Sequence, residues 1–246
     1  DRTIDRHQSR RAAPALCLLM SFLEFVRGPA LAFAVTVFVL GTLWRLIGVL
    51  RLPALPDLSV ARAGAPSPLS AVLHANLRAM WPRPEFSRAT KFITFNGYAF
   101  HIGLAVVFFG YAPHIAFIRR HTGLSWPALP DVVMYVAAII TIVSLLMALA
   151  LRLNDPVRKK ISTADDMISW TLTFLPFVTG MAVTSDPSAA LLARDHVIYA
   201  GPLAVHLLSL ELLLLWFPFG KLMHAVLFAF SRGATGLRFG HRGVRW

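Results

Sequence analysis

Apolar runs long enough to cross a bilayer recur along this chain, and they leave few folds open to it. A hydrocarbon core about 30 Å thick needs roughly 20 predominantly apolar helical residues. Such stretches fall at 28–50, 92–118, 132–153, 167–184 and 200–230. In lipid each backbone N–H and C=O must be satisfied within the protein, so each run is expected to be a helix. The predicted fold class is all-α, an integral membrane bundle of five transmembrane helices. A soluble core of 246 residues would not need these runs, nor a composition 57% hydrophobic and only 15% charged. Pro176 inside the fourth run predicts a kink. The chain divides into an N-terminal extension (1–27), with an interfacial helix expected over 12–25, a five-span domain (28–230) and a basic tail (231–246). The Pro/Ala/Gly-rich stretch 52–70 and Trp81-Pro82-Arg83-Pro84 make the longest loop, and short turns are expected at 125–130 and 185–188.

The net charge of +12 would suit nucleic acid, but its distribution argues for a topology signal instead. Sixteen Lys and Arg residues fall on the side of the first loop, the third loop and the C-terminal end, against eight on the other. The positive-inside rule then puts the N-terminus outside and the C-terminus in the cytoplasm, as for a multi-pass protein of a bacterial inner membrane. Five arginines before the first span, Arg2, Arg6, Arg10, Arg11 and Arg27, oppose that bias. No nucleic-acid partner is expected, and the remaining positive charge meets lipid headgroups. Cys17 is the single cysteine. Intrachain disulfides, cysteine-held iron–sulfur clusters and CxxCH haem attachment are thereby excluded.

Ionisable side chains inside a bilayer are costly, so the histidines of the second and fifth spans are the functional candidates. His206 and His224 are 18 residues apart, five helical turns, which in a continuous helix would place them on one face ~27 Å apart. With the N-terminus outside, span two runs outward and span five inward. His101 then matches His224 in depth, and His114 matches His206. Neutral imidazole is a common axial ligand of haem iron, so each pair could clamp one b-type haem between the second and fifth spans. Gly103 and Gly110 would give a porphyrin edge room against the backbone. Glu211 lies ~140° around the helix from His206 and is expected to be hydrogen bonded between helices.

Two motifs, Phe100-His101-Ile102-Gly103 and Phe217-Pro218-Phe219-Gly220-Lys221-Leu222-Met223-His224 with His206 before it, resemble the gamma-subunit family of respiratory nitrate reductase. That group includes the membrane cytochromes of sulfite-reductase-associated and heterodisulfide-reductase-like complexes. The resemblance covers 92–230 and runs more weakly through Gly41-Thr42-Leu43-Trp44-Arg45. It implies a five-span dihaem cytochrome b in which His206 and His224 serve different haems and His101 shares the cytoplasmic one. The family's fourth ligand stands ten residues after the first motif's histidine, in a Gly-His pair; here the pair reads Gly110-Tyr111. His114, just after Pro113, is the substitute, about 60° out of phase in a regular helix. Ligation by Tyr111 and a chain with one haem stay open alternatives.

The resemblance further implies electron transfer between the quinone pool and a cytoplasmic iron–sulfur subunit with its catalytic subunit, within a respiratory or sulfur- or hydrogen-metabolising oxidoreductase. Quinone would be handled near the outer haem. Arg119, His121 and Asp131, at the end of span two and the start of span three, are the quinone-binding candidates. With no catalytic triad, phosphate loop or metalloprotease motif, no catalytic residue is assigned. The alternative from another class is a haem-free membrane anchor or transporter subunit with structural histidines.

Overall fold

The structure is a computed structural model that describes residues 22–53, 57–82, 84–184 and 200–244. The extension 1–21 and the turn at 185–188 lie outside the described residues. The helices in chain order are α1 (Phe22–Leu50), α2 (Pro68–Arg78), α3 (Ser87–Gly110), α4 (Ala112–Thr122), α5 (Asp131–Asn154), α6 (Pro156–Ile161), α7 (Ala164–Thr184), α8 (Ala200–Trp216) and α9 (His224–His241). No strand occurs among the described residues. Phe22–Leu50, Thr90–Gly110, Asp131–Asn154 and Ala164–Thr184 are long and apolar enough to cross a membrane. Gly201–Trp216 with Lys221–His241 makes a fifth span if that bent pair counts as one. The chain is a helical, multi-pass membrane protein on the length and composition of these helices.

The long helices pack as an open arc. α3 lies on α5, α5 on α7, α7 on α8 and α8 on α1. α5 is the central member: 33% of its apolar window is buried, against 6% for α1 and for α3. α3 and α8, which bear His101 and His206, form no extended packing with each other.

Small and polar residues hold the arc, as expected where lipid offers no hydrophobic drive for helix association. Asn96 Nδ2 on α3 donates to the Ser144 carbonyl on α5 at 3.0 Å, and Trp170 Nε1 on α7 donates to the Leu145 carbonyl at 2.8 Å. Gly103 faces the buried Thr141 hydroxyl and the Ala137 carbonyl of α5, and Gly110 faces Leu129 and Met134. The expectation that these glycines make room for a porphyrin is therefore corrected. Both let α5 and its preceding turn approach α3.

Two spans depart from the sequence expectation. The run 92–118 is not one helix, because α3 ends at Gly110 and α4 begins at Ala112. The run 200–230 bends by 78° between α8 and the segment leading into α9. His206 and His224 therefore do not share a face of a continuous helix. Pro218 in the bend has no N–H to continue the ladder, which is the physical reason.

The long loop also contains a helix that its Pro-rich flanks conceal. Ser67 caps α2, its hydroxyl accepting from Ser70 N, with Pro68 in the first turn. α2 lies along α9, where Ala71 and Ala75 meet Gly236, Ala71 also meets Gly240, and Val72 meets Gly233. Residues 231–241, read as tail, are thus helical. Asn76 Nδ2 donates to the Ala229 carbonyl (3.2 Å) and His241 Nε2 to the Ser59 carbonyl (2.8 Å). Arg242 pairs with Asp57 at 3.0 Å. The Ser59 hydroxyl and then Arg242 hold the Asp57 carboxyl well below the usual carboxylate range.

A Gly103→Val substitution should drive a methyl into Thr141 and the Ala137 carbonyl. Overpacking of this kind costs about 1–3 kcal/mol. Thermal unfolding of the purified protein in detergent should show the loss, and an unchanged midpoint would mean that α3 is not held on α5 at this contact.

Candidate functional site

The α3–α4 break is built by Pro113 and satisfied by a tryptophan. Pro113 is in the first turn of α4 and has no N–H, so the Phe109 carbonyl loses its i+4 donor. Trp126 Nε1 from the following loop donates to that carbonyl at 2.6 Å, and Leu129 N donates to the Gly110 carbonyl at 2.9 Å. Tyr111 stands at the break with extended backbone (φ −80°, ψ 128°). His114, the third residue of α4, is swung back along α3, and its Nδ1 meets the Val107 carbonyl at 3.0 Å. The break thus supplies the change of phase that a regular helix lacks.

The α8–α9 bend is pinned from three sides. Pro218 is fully buried against Gly41 of α1, and Phe217 packs edge-on to Phe38 with centroids 5.1 Å apart. Trp216 Nε1 donates to Ser169 Oγ at 3.0 Å. Lys221 Nζ reaches Asp166 at 2.5 Å, and Arg152 pairs with the other oxygen of that carboxylate at 3.3 Å. Asp166 is nearly buried and ties α5, α7 and the bend together. His224 follows three residues after Lys221 at the head of α9.

These two breaks bring four histidines into two pairs. The His101 and His224 ring centroids lie 6.4 Å apart, with planes at 84°. Those of His114 and His206 lie 6.3 Å apart, with planes at 15°. The pairing runs antiparallel, as the depth argument expects. A metal–imidazole bond is about 2.0–2.1 Å and a ring centroid lies ~1.1 Å behind the ligating nitrogen, so two imidazoles on opposite sides of one metal have centroids about 6.3 Å apart. Both separations match that span. Rotation about the metal–nitrogen axis accommodates either interplanar angle.

The hydrogen bonds determine the tautomer of each ring. His101 Nδ1 meets the Gly97 carbonyl at 2.7 Å, His114 Nδ1 the Val107 carbonyl, and His224 Nδ1 the Lys221 carbonyl at 2.8 Å. A carbonyl only accepts, so Nδ1 is the protonated nitrogen in each, and the Nε2 of a neutral ring carries the lone pair. His206 reaches the same state through a side chain. Thr179 donates its own proton to the Leu175 carbonyl (2.7 Å) and Ser209 donates to the His206 carbonyl (2.7 Å). Thr179 Oγ1 is then left to accept from His206 Nδ1 at 3.2 Å. Gly180 lies against the same ring, where an added methyl would approach Cε1 to 3.1 Å.

Sequence reasoning missed Thr179, Gly180, Ser209, Asp166 and the capping role of Trp126. A Thr three residues after Pro176, about one helical turn on, is the only hint the sequence held. The His114–His206 pair is lined by Phe108 (5.9 Å) and Tyr111 (5.2 Å, edge-on), both measured to the His114 ring. Tyr111 therefore packs on His114. No group of three or more potential metal-ligating side chains occurs among the described residues.

The quinone candidates are dispersed. Arg119 lines an open cavity of about 520 Å³ with Arg120, Trp126 and Ile115, between α4 and the loop before α5. His121 does not line it; its ring packs on Phe117 (4.3 Å) and its Nδ1 donates to the Phe117 carbonyl. Asp131, exposed in the first turn of α5, does not line it either.

No family profile matches the chain, and no solved structure matches it. A protein of Nitratidesulfovibrio vulgaris (strain Hildenborough) is 31% identical over 225 residues, covering 87% of this chain and 92% of that one. The chain belongs to the family of that protein. The relative's description names no activity, so the chemistry rests on the residues themselves.

Asp166→Asn should loosen the bend that carries His224. Losing a charge-assisted bond to Lys221 and to Arg152 is expected to cost about 1.5–3 kcal/mol, read as a lower thermal midpoint in detergent. A midpoint equal to wild type would show that Pro218 alone sets the bend.

Proposed function

We propose that this chain is a cytochrome b subunit that carries electrons across a membrane between the quinone pool and an iron–sulfur partner. The reading is supported above all by two histidine pairs, each spaced for one metal and each with Nδ1 engaged so that Nε2 is the nitrogen to ligate. Hydrogen bonding of the second ring nitrogen is the usual support of a metal-binding imidazole. His101 and His224 would hold one haem b, and His206 and His114 a second. Bound there, haem supplies reversible one-electron chemistry. The chain's own part is to fix four imidazoles and to raise ligand basicity through the carbonyl and Thr179 contacts.

The motif resemblance to the nitrate reductase gamma-subunit family supports this reading and implies its partners. An iron–sulfur subunit with its catalytic subunit would dock on the positively charged side, near α2, α9 and the Asp166 cluster. The inner membrane of a bacterium, with the C-terminus in the cytoplasm, follows from the charge bias. Quinone would enter at the cavity of Arg119, Arg120 and Trp126, beside the His114 pair; His121 and Asp131 contribute less directly.

A reduced-minus-oxidised spectrum with a pyridine haemochrome assay should give two haems b per chain. His101→Ala or His224→Ala should remove one low-spin signal, and His206→Ala or His114→Ala the other. A pure protein with no haem after expression with haem supplied would leave the haem-free anchor or transporter subunit as the reading. One haem lost only with His101 or His224 would remove the outer site.

Thr179→Val should retain both haems while raising the midpoint potential of the one held by His206. Without an acceptor for its Nδ1 proton, the imidazole is a weaker donor to the oxidised iron. Potentiometric titration checks this, and equal potentials in variant and wild type would show that Thr179 does not tune that ligand.

A further inference from the structure

α8 is apolar around its circumference except where it carries His206, Ser209 and Glu211. Glu211 is only 2% exposed. It lies ~140° around the helix from His206, turned toward α1 and away from the histidine pairs. Between them is a groove of about 310 Å³ lined by Phe25, Pro29 and Phe33 of α1 and by Leu208 and Leu212 of α8. Glu211 Oε1 is buried there with no hydrogen-bond partner among the described residues. The sequence expectation of a carboxyl hydrogen bonded between helices is thereby corrected for that oxygen.

The backbone across the groove is irregular at the same level. Residues Val26–Ala30 form a π-helical turn around Pro29, with Leu31 N donating to the Val26 carbonyl. The wider turn absorbs a proline that cannot donate, and Pro29 itself lines the groove opposite Glu211. Single π-turns within α-helices recur at functional sites. Phe33 and Leu212 remain 63% and 43% exposed, so the groove opens on the lipid-facing side of the bundle.

An unpaired carboxyl oxygen in an apolar cavity is costly, and the cost needs a partner. A lone water serves poorly, because a buried water wants two to four polar neighbours and this lining offers the carboxyl alone. A ligand with an apolar body and one oxygen function fits on both counts. The volume is at the small end of the range for ligand pockets, enough for a ring or a short acyl segment. We propose that the groove between the π-turn of α1 and Glu211 of α8 binds a lipophilic molecule through one hydrogen bond between Glu211 and the ligand's carbonyl or hydroxyl oxygen. An isoprenoid quinone ring and the ester region of a membrane lipid share that chemistry. The site is independent of the histidine pairs, which face elsewhere.

The test uses the full-length protein and the infrared band of the Glu211 carboxyl C=O, assigned by its loss in Glu211→Gln. Three preparations are compared: delipidated in detergent, in nanodiscs of synthetic phospholipid without quinone, and in detergent with a decyl-substituted naphthoquinone. The expected result is a shift of the band to lower frequency on occupation. A shift with naphthoquinone but not phospholipid identifies a quinone site, and the reverse identifies a lipid site. Leu212→Trp, which fills the groove and keeps the carboxyl, should abolish the shift and weaken naphthoquinone binding at least about tenfold if quinone is the occupant. No shift in either arm, or a shift that survives Leu212→Trp, overturns the proposal. Haem content measured on the same samples keeps this outcome separate from that of the cytochrome reading.

Discussion

Backbone hydrogen bonding is the constraint on which this structure turns. Within a bilayer a helix can be broken only where something else satisfies the freed groups. Both breaks next to the histidines obey that rule. Pro113 strips the Phe109 carbonyl of its helical donor, and Trp126 Nε1 replaces it. At the other break, Trp216 accepts through its carbonyl from Phe219 N and Gly220 N, while its indole is held by Ser169. Neither break is slack. Each converts a regular helix into two rigid segments whose relative direction is set, and each ends within a few residues of a histidine.

The packing of the arc explains why the histidines meet across space rather than across a helix seam. Close seams between α3 and α5, and between α7 and α8, use glycine, serine and threonine to bring backbones together. The α3-to-α8 approach has none of this; Gly103 is already committed to α5. The two breaks do the work instead, bringing His101 of α3 beside His224 of α9 and His114 of α4 beside His206 of α8.

The legible part of the chain was its hydropathy. Runs of apolar residues locate α5 and α7 to within three residues and mark where α1, α3 and α8 lie, and the depth matching of His101 with His224 and His114 with His206 needs only their order and direction. Harder to read were the breaks. Pro113 and Pro218 are visible as prolines, yet a proline alone states neither the angle nor the partner of the carbonyl it frees. The 78° bend comes from Gly41 accepting Pro218 and from Asp166 gripping Lys221, contacts between residues far apart in the sequence. α2 was hidden for another reason: its Ala71–Ala75 face is small rather than strongly apolar, and it becomes a seam only against the glycines of α9. Thr179 carried no motif at all. Its role follows from which of three hydroxyl and imidazole protons is already spoken for.

α8 divides its chemistry by face, and the division has a cause in its composition. An amphipathic helix would dedicate one side to polar groups; α8 is apolar on all sides, so each polar residue on it must be answered individually by a neighbour. His206 and Ser209 are answered by Thr179 of α7. Glu211 faces α1, where the nearest residues are aromatic, aliphatic and proline, and one of its oxygens is left without an answer among the described residues. Two positions on one helix, five residues apart, thus sit in opposite conditions: one completed by the protein and presenting a single free nitrogen, the other incomplete until something else supplies an oxygen or a proton. In a bilayer, where an unsatisfied polar group carries its full cost, the second condition is as strong a pointer to a ligand as the first.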